Sequence, residues 1–155
     1  MTLALLSVFS LEGCAFSTGF QGPGYDRRTG VTQTGEGRLV VGLTQAVLRD
    51  DGALRSTFWD YVWKVAASLP EQPGFVGYSL RRELFGKRAW TMTVWSDEAS
   101  LAAFVGSDIH QAAIGEAMDA LACARFARLE VARDEVPIPW DRALAVFEAQ
   151  EEPCG

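Results

Sequence analysis

The sequence is poor in the residues that bind metals and perform redox chemistry. It has one histidine, His110, and three widely separated cysteines, Cys14, Cys123 and Cys154, with no CxxC pair. A Cys/His zinc centre needs four ligands at short spacings, and these residues are too few at the right spacing; a carboxylate-rich metal site would have no motif behind it. Basic residues form no block and the net charge is −6, which argues against a nucleic-acid partner. No glycine-rich loop follows a strand. Gly22-x-Gly24 precedes no strand–helix unit, so a phosphate or dinucleotide cradle is absent. No serine or cysteine can be given the partners of a catalytic triad. What remains is a chain of 155 residues, 48% apolar and 22% charged, suited to one globular domain with a sizeable core.

The apolar opening, residues 1–13 (MTLALLSVFSLEG), is too short to span a bilayer but fits the apolar core of an export signal. Leu11-Glu12-Gly13-Cys14 resembles a bacterial lipoprotein cleavage site, in which Cys14 becomes the lipidated first residue. The sequence departs from that pattern at Glu12 and in having no Lys or Arg ahead of the apolar run. From Ala15 to Gly37, glycines are interleaved with Ser, Thr and Gln, a composition that reads as a flexible tether over residues 14–37. The alternative is an ordinary N-terminal helix packed on the domain. A lipid on Cys14 would hold the protein at a membrane without spanning it, the one membrane contact expected. Localisation is then exported or membrane-anchored, and otherwise cytoplasmic.

The folded domain is expected over residues 38–150. Leu39 to Leu48 is nearly continuous in apolar and β-branched residues, the pattern of a strand buried on both faces. Asp50-Asp51-Gly52 is a turn, and Ser56 is a candidate N-cap for a helix to about Ser68, with Trp59 and Trp63 extending its apolar stripe. Pro70 and Pro73 stop it. Gly74–Arg82 and Arg88–Trp95 alternate as strands of an antiparallel hairpin, with Trp90, Met92 and Val94 on one face and Thr91, Thr93 and Trp95 on the other. Asp97 and Glu98 open a short helix. Ser107-Asp108 opens another to about Leu121, Ala124–Ala132 is a fourth strand, and Trp140–Ala149 a terminal amphipathic helix. The order β-α-β-β-α-β plus a C-terminal helix is an α+β, ferredoxin-like fold with a four-stranded antiparallel sheet.

Within that order, Pro73-Gly74-Phe75-Val76-Gly77-Tyr78-Ser79-Leu80, Trp90 to Glu98, Leu101 to Phe104, Ser107 and His110 together resemble the antibiotic-biosynthesis monooxygenase family. The resemblance covers about residues 39–132. It implies a dimeric α/β barrel built from two sheets, hence a homodimer, and a repertoire running from cofactor-free oxygenases of aromatic substrates to haem-degrading enzymes and proteins of no known activity. The haem-degrading members use an Asn on the first strand, a Trp on the short helix and a His on the next. This chain has Thr44 and Gln45, Phe104 and Ile114 at those places, with His110 one turn earlier, so haem cleavage is disfavoured and no cofactor is expected.

His110 titrates near neutrality. Its register places it on the core side of its helix, in the first turn, where the helix dipole disfavours the imidazolium. It is the candidate catalytic base, able to take a phenolic or enolic proton so that the electron-rich anion reduces O₂. The competing reading is a structural histidine bonded to a nearby loop. Trp90, Trp95, Tyr78, Thr44 and Phe104 are candidate substrate-binding residues, although large aromatics on sheet faces more often fill cores. Arg81 and Arg82 read as solvated. Cys123 reads as packing, and Cys154 sits on a tail; in an oxidising compartment the two would be able to pair. The expected activity is cofactor-independent monooxygenation of a small aromatic or quinol. The alternatives are a non-catalytic binding module and a haem-binding protein.

Overall fold

The computed structural model describes residues 14–150 and Cys154. Expectations for residues 1–13 lie outside the described residues. Four longer strands form the centre of the sheet: β4 (Leu39–Leu48), β5 (Phe75–Glu83), β6 (Arg88–Trp95) and β7 (Leu121–Val131). A short strand, β1 (Ala15–Ser17), adds a fifth by pairing antiparallel with β5. The sheet order is β1-β5-β6-β4-β7, antiparallel throughout. A separate small hairpin joins β2 (Tyr25–Asp26) and β3 (Gly30–Val31). The helices are α1 (Gly52–Ser68), α2 (Glu98–Val105), α3 (Asp108–Ala117) and α4 (Trp140–Glu148).

The ferredoxin-like order therefore holds, with five strands rather than four. Helix α1 starts earlier than expected. Asp51, not Ser56, is its N-cap, accepting a hydrogen bond from the Leu54 N–H at 3.0 Å, because a carboxylate at the turn satisfies a free helix-end donor. Asp97 caps α2 by accepting from the Ser100 N–H at 2.7 Å. That bond and the Ser96 hydroxyl hold its carboxyl below the ordinary carboxylate range.

Alternation along β4 sorts the core into two layers. Val40, Ala46 and Leu48 face α1, α2 and α3, packing with Phe58, Trp95, Leu101 and Phe104. Leu39, Val41 and Leu43, with Met92 and Val94, face the other way into the largest apolar cluster. That second layer is closed by the chain itself. Ala143 and Phe147 of α4 are buried in it, and Phe20, Tyr25 and Val31 of the N-terminal segment pack against it.

The segment expected to be a tether is laid along the domain instead. Thr18 N–H bonds to the Leu80 carbonyl at 2.8 Å, Gln21 and Tyr78 exchange backbone bonds, and Gly24 N–H reaches the Val76 carbonyl at 3.0 Å. Its glycines serve proximity rather than flexibility. A Cβ on Gly22 would stand 2.3 Å from the Gly77 Cα, and one on Gly77 would stand 2.6 Å from the Phe20 ring. Glycine lets two backbones approach where any side chain would collide. Composition alone cannot separate this use of glycine from a loose linker, since both leave the same residues in the sequence.

Cys123 of β7 and Cys154 form a disulfide, with Cα atoms 5.8 Å apart. The bridge ties the segment after α4 back to the sheet edge. Cys14 is exposed and free.

Candidate functional site

The expected site residues fall into two groups on opposite sides of the sheet. Trp95 and Phe104 are stacked at 4.9 Å between ring centroids, and the His110 ring lies 4.8 Å from Phe104. Phe75 meets Trp95 on its other side at 5.2 Å, and Tyr78 lies 6.3 Å from Phe75. Together these rings form a continuous aromatic ladder on the helix-covered face. Thr44, paired with Thr91, lies on that same face and is half-buried. Trp90 belongs to the opposite layer, under α4, because a one-residue offset along a strand reverses the face. It cannot share a cavity with Trp95.

His110 is half-buried. Its Nδ1 lies 3.1 Å from the Val105 carbonyl oxygen. A carbonyl only accepts, so Nδ1 carries the proton and Nε2 keeps the lone pair. Burial lowers its pKa from the ordinary histidine value, and the bond to Val105 offsets this only in part. The imidazole is therefore neutral at pH 7, with a basic nitrogen. Trp95 is fully buried, and its indole Nε1 has no hydrogen-bond partner, the one unsatisfied donor in the ladder.

Open space lies elsewhere. A cleft of about 470 Å³ separates α1 from the β5–β1 edge of the sheet. Trp59 and Trp63, one turn apart on α1, form one wall, with Ser56 and Asp60 beside them. Phe16, Thr18, Leu80 and Arg82 form the other, joined by Arg81. The Arg82 guanidinium stands 5.5 Å from the Trp59 ring centroid. A second cleft of about 460 Å³ adjoins it across Trp63, lined by Ala66, Ala67 and Pro70 and, from the facing side, by Gln21, Gly22, Pro23 and Tyr78. There the Tyr78 hydroxyl accepts from the Gln21 side-chain amide at 3.2 Å.

Of the residues expected from sequence, Tyr78 alone lines either cleft; His110, Thr44, Trp90, Trp95 and Phe104 do not. Trp59, Trp63, Phe16, Thr18 and Arg82 were missed as site residues. The tryptophan spacing was visible and read as core stripe. Trp63, however, is 54% exposed and borders both clefts. No cluster of three or more His, Cys, Asp or Glu suited to a metal occurs among the described residues.

Residues 49–116 match the family model described as Antibiotic biosynthesis monooxygenase. The matched stretch runs from the end of β4 through α3, a little under half of the chain. No curated protein matches the chain in sequence. Among solved structures, the chain is similar to SnoaB, a cofactor-independent oxygenase from Streptomyces nogalater, at 20% identity and TM-score 0.53, over 65% of this chain and 99% of that one. It is also similar to a proposed antibiotic biosynthesis monooxygenase from Caulobacter crescentus, at 16% identity and TM-score 0.55, over 61% and 91%. A proposed monooxygenase from Fusobacterium nucleatum aligns at 13% identity and TM-score 0.57, over 64% of this chain. The match spans only 45% of the Fusobacterium protein's length. At such identities the likeness is one of fold. The monooxygenase-domain match leaves out both the segment that builds β1 and the helix α4.

Proposed function

We propose that the protein binds a small planar aromatic of phenol or quinol type in the cleft between α1 and the β5–β1 edge. One observation carries this reading: a space of about 470 Å³ walled by Trp59, Trp63, Phe16 and Leu80, with Arg82 and Asp60 at its border. That size falls within the roughly 300–1,000 Å³ of small-molecule sites. Indole faces offer stacking area to a flat ring. Arg82 supplies N–H donors to a phenolate or carbonyl oxygen, and Asp60 accepts from a hydroxyl.

A second reading, cofactor-independent monooxygenation, is favoured by the domain match and by the likeness to SnoaB. An anthrone-type substrate would lose a proton to a base, pass electrons to O₂, gain one oxygen atom as a carbonyl and release the other as water. His110 Nε2 has the right protonation for that base, but it borders neither cleft. On geometry, binding leads and catalysis follows.

The test is tryptophan fluorescence titration with naphthoquinols and anthrones, run beside oxygen-electrode measurements. Saturable quenching in wild type, weakened about tenfold by Trp63→Ala, supports the binding reading. Oxygen consumption abolished by His110→Gln would move the protein into the enzyme class. Absence of both signals defeats both readings.

Export or membrane anchoring remains part of the proposal. The Cys123–Cys154 bridge suits an oxidising compartment. No helix among the described residues is long and apolar enough to cross a membrane.

A further inference from the structure

We propose that the tip of the β5–β6 hairpin docks the domain onto an anionic lipid surface. The turn carries Leu84 and Phe85, which are 49% and 94% exposed. A phenylalanine left almost wholly in water contributes nothing to the core, and beside an exposed leucine it forms an apolar point. Phe16, two residues along from Cys14 at the same end of the sheet, is 56% exposed. Isolated apolar residues on a surface are ordinary, but a grouped, projecting set marks a contact with an apolar medium.

The charge around the tip has the sign such a surface attracts. Arg82, Lys87 and Arg88 flank the turn, the Arg55 guanidinium donates to the Gly86 carbonyl at 3.2 Å, and Arg49 lies on the adjoining loop. Against these five cations stand Asp50, Asp51 and Glu83, of which Asp50 pairs with Lys87 and Glu83 with Arg88. With Asp119, next to the Ala120 carbonyl that accepts the Arg49 N–H, the balance around the tip is still positive, in a chain whose total is −6. An apolar point ringed by arginine and lysine matches the bilayer interface, where side chains enter the acyl boundary and cations meet anionic headgroups.

The path of the chain agrees. The Leu84 N–H donates to the Cys14 carbonyl at 2.9 Å. The apolar run of residues 1–13 therefore joins the domain directly beside Phe85 and Leu84. A membrane association of that run would hold the hairpin tip against the same surface. The proposal does not require a lipid on Cys14, because the docking residues are those of the hairpin.

The full-length protein is to be sedimented with vesicles of phosphatidylglycerol and phosphatidylethanolamine, and with vesicles of phosphatidylcholine alone. Binding is expected to favour the anionic vesicles and to fall as salt rises. The double substitution Leu84→Ser/Phe85→Ser is expected to lower the vesicle partition constant about tenfold or more, from the loss of two apolar side chains. Its melting curve should match wild type, since both positions are exposed. Lys87→Glu should weaken binding to anionic vesicles and leave phosphatidylcholine unaffected. Unchanged partition of the double variant, with residues 1–13 still present, overturns the proposal. So does equal binding of wild type to both vesicle types.

Discussion

The Cys123–Cys154 bridge allows a worked prediction, because it closes α4 onto the sheet. The two cysteines are 31 residues apart in sequence. Between them, Ala143 and Phe147 of α4 are buried against β4 and β6, and the Trp140 indole N–H donates to the Ser79 hydroxyl at 3.1 Å. Closing a loop of that length removes roughly 12 cal/mol/K from the unfolded ensemble, or roughly 3.7 kcal/mol at room temperature. For a domain of this size the loss corresponds to a fall in Tm of roughly 7–15 °C. Scanning calorimetry of the oxidised protein, the dithiothreitol-treated protein and the Cys154→Ser variant measures it. The reduced protein and the variant should melt together, both well below the oxidised form. A loss under about 1 kcal/mol, or more free thiol under non-reducing conditions than Cys14 alone supplies, refutes the reasoning.

Four further outcomes are expected. Gly22→Ala should destabilise by about 1–3 kcal/mol in urea unfolding, since the added methyl meets the Gly77 backbone; an unchanged midpoint would show that the N-terminal segment is not packed there. For His110 the folded pKa lies below the unfolded one, so its contribution to stability is complete above the unfolded value near 6.5 and is lost as pH falls from there through the lower folded value; His110→Gln should flatten that part of the stability–pH curve, measured by denaturation between neutral and mildly acidic pH. Trp63→Ala should leave the melting temperature nearly unchanged, because the ring is half in water, and an altered melt would make it a core residue. With the second layer closed by its own α4 and N-terminal segment, the chain should sediment as a monomer near 16.9 kDa. A stable dimer in analytical ultracentrifugation would mean that association uses another surface.

Much of the fold is local, and local physics is written in the sequence. The alternation of Trp90, Met92 and Val94 against Thr91, Thr93 and Trp95 placed β6 at its observed bounds, and the β-branched run from Leu39 did the same for β4. Both patterns arise from the two-residue period of a strand, which needs no knowledge of the partner. The exchange of Ser56 for Asp51 as N-cap shows the limit of such reading. Two capping residues stand five positions apart, Asp51 and Ser56, and the turn geometry chose between them.

The site was legible in part. His110 was expected to be core-facing and neutral, and it is half-buried with its pKa lowered, but its distance from both clefts is a property of how α3 sits on the sheet. The pairing of Ala15–Ser17 with β5 spans more than sixty positions. No window of sequence contains that contact, and the glycines that permit it look like those of a linker. Without β1 there is no second wall, and Trp59 and Trp63 are only an apolar stripe. The sequence alone determined the four central strands, the helices and their order, because propensity and periodicity act over a few residues. Tertiary structure decided which surfaces meet: the cleft, the closed second layer and the Cys123–Cys154 bridge depend on the ends of the chain returning to one sheet.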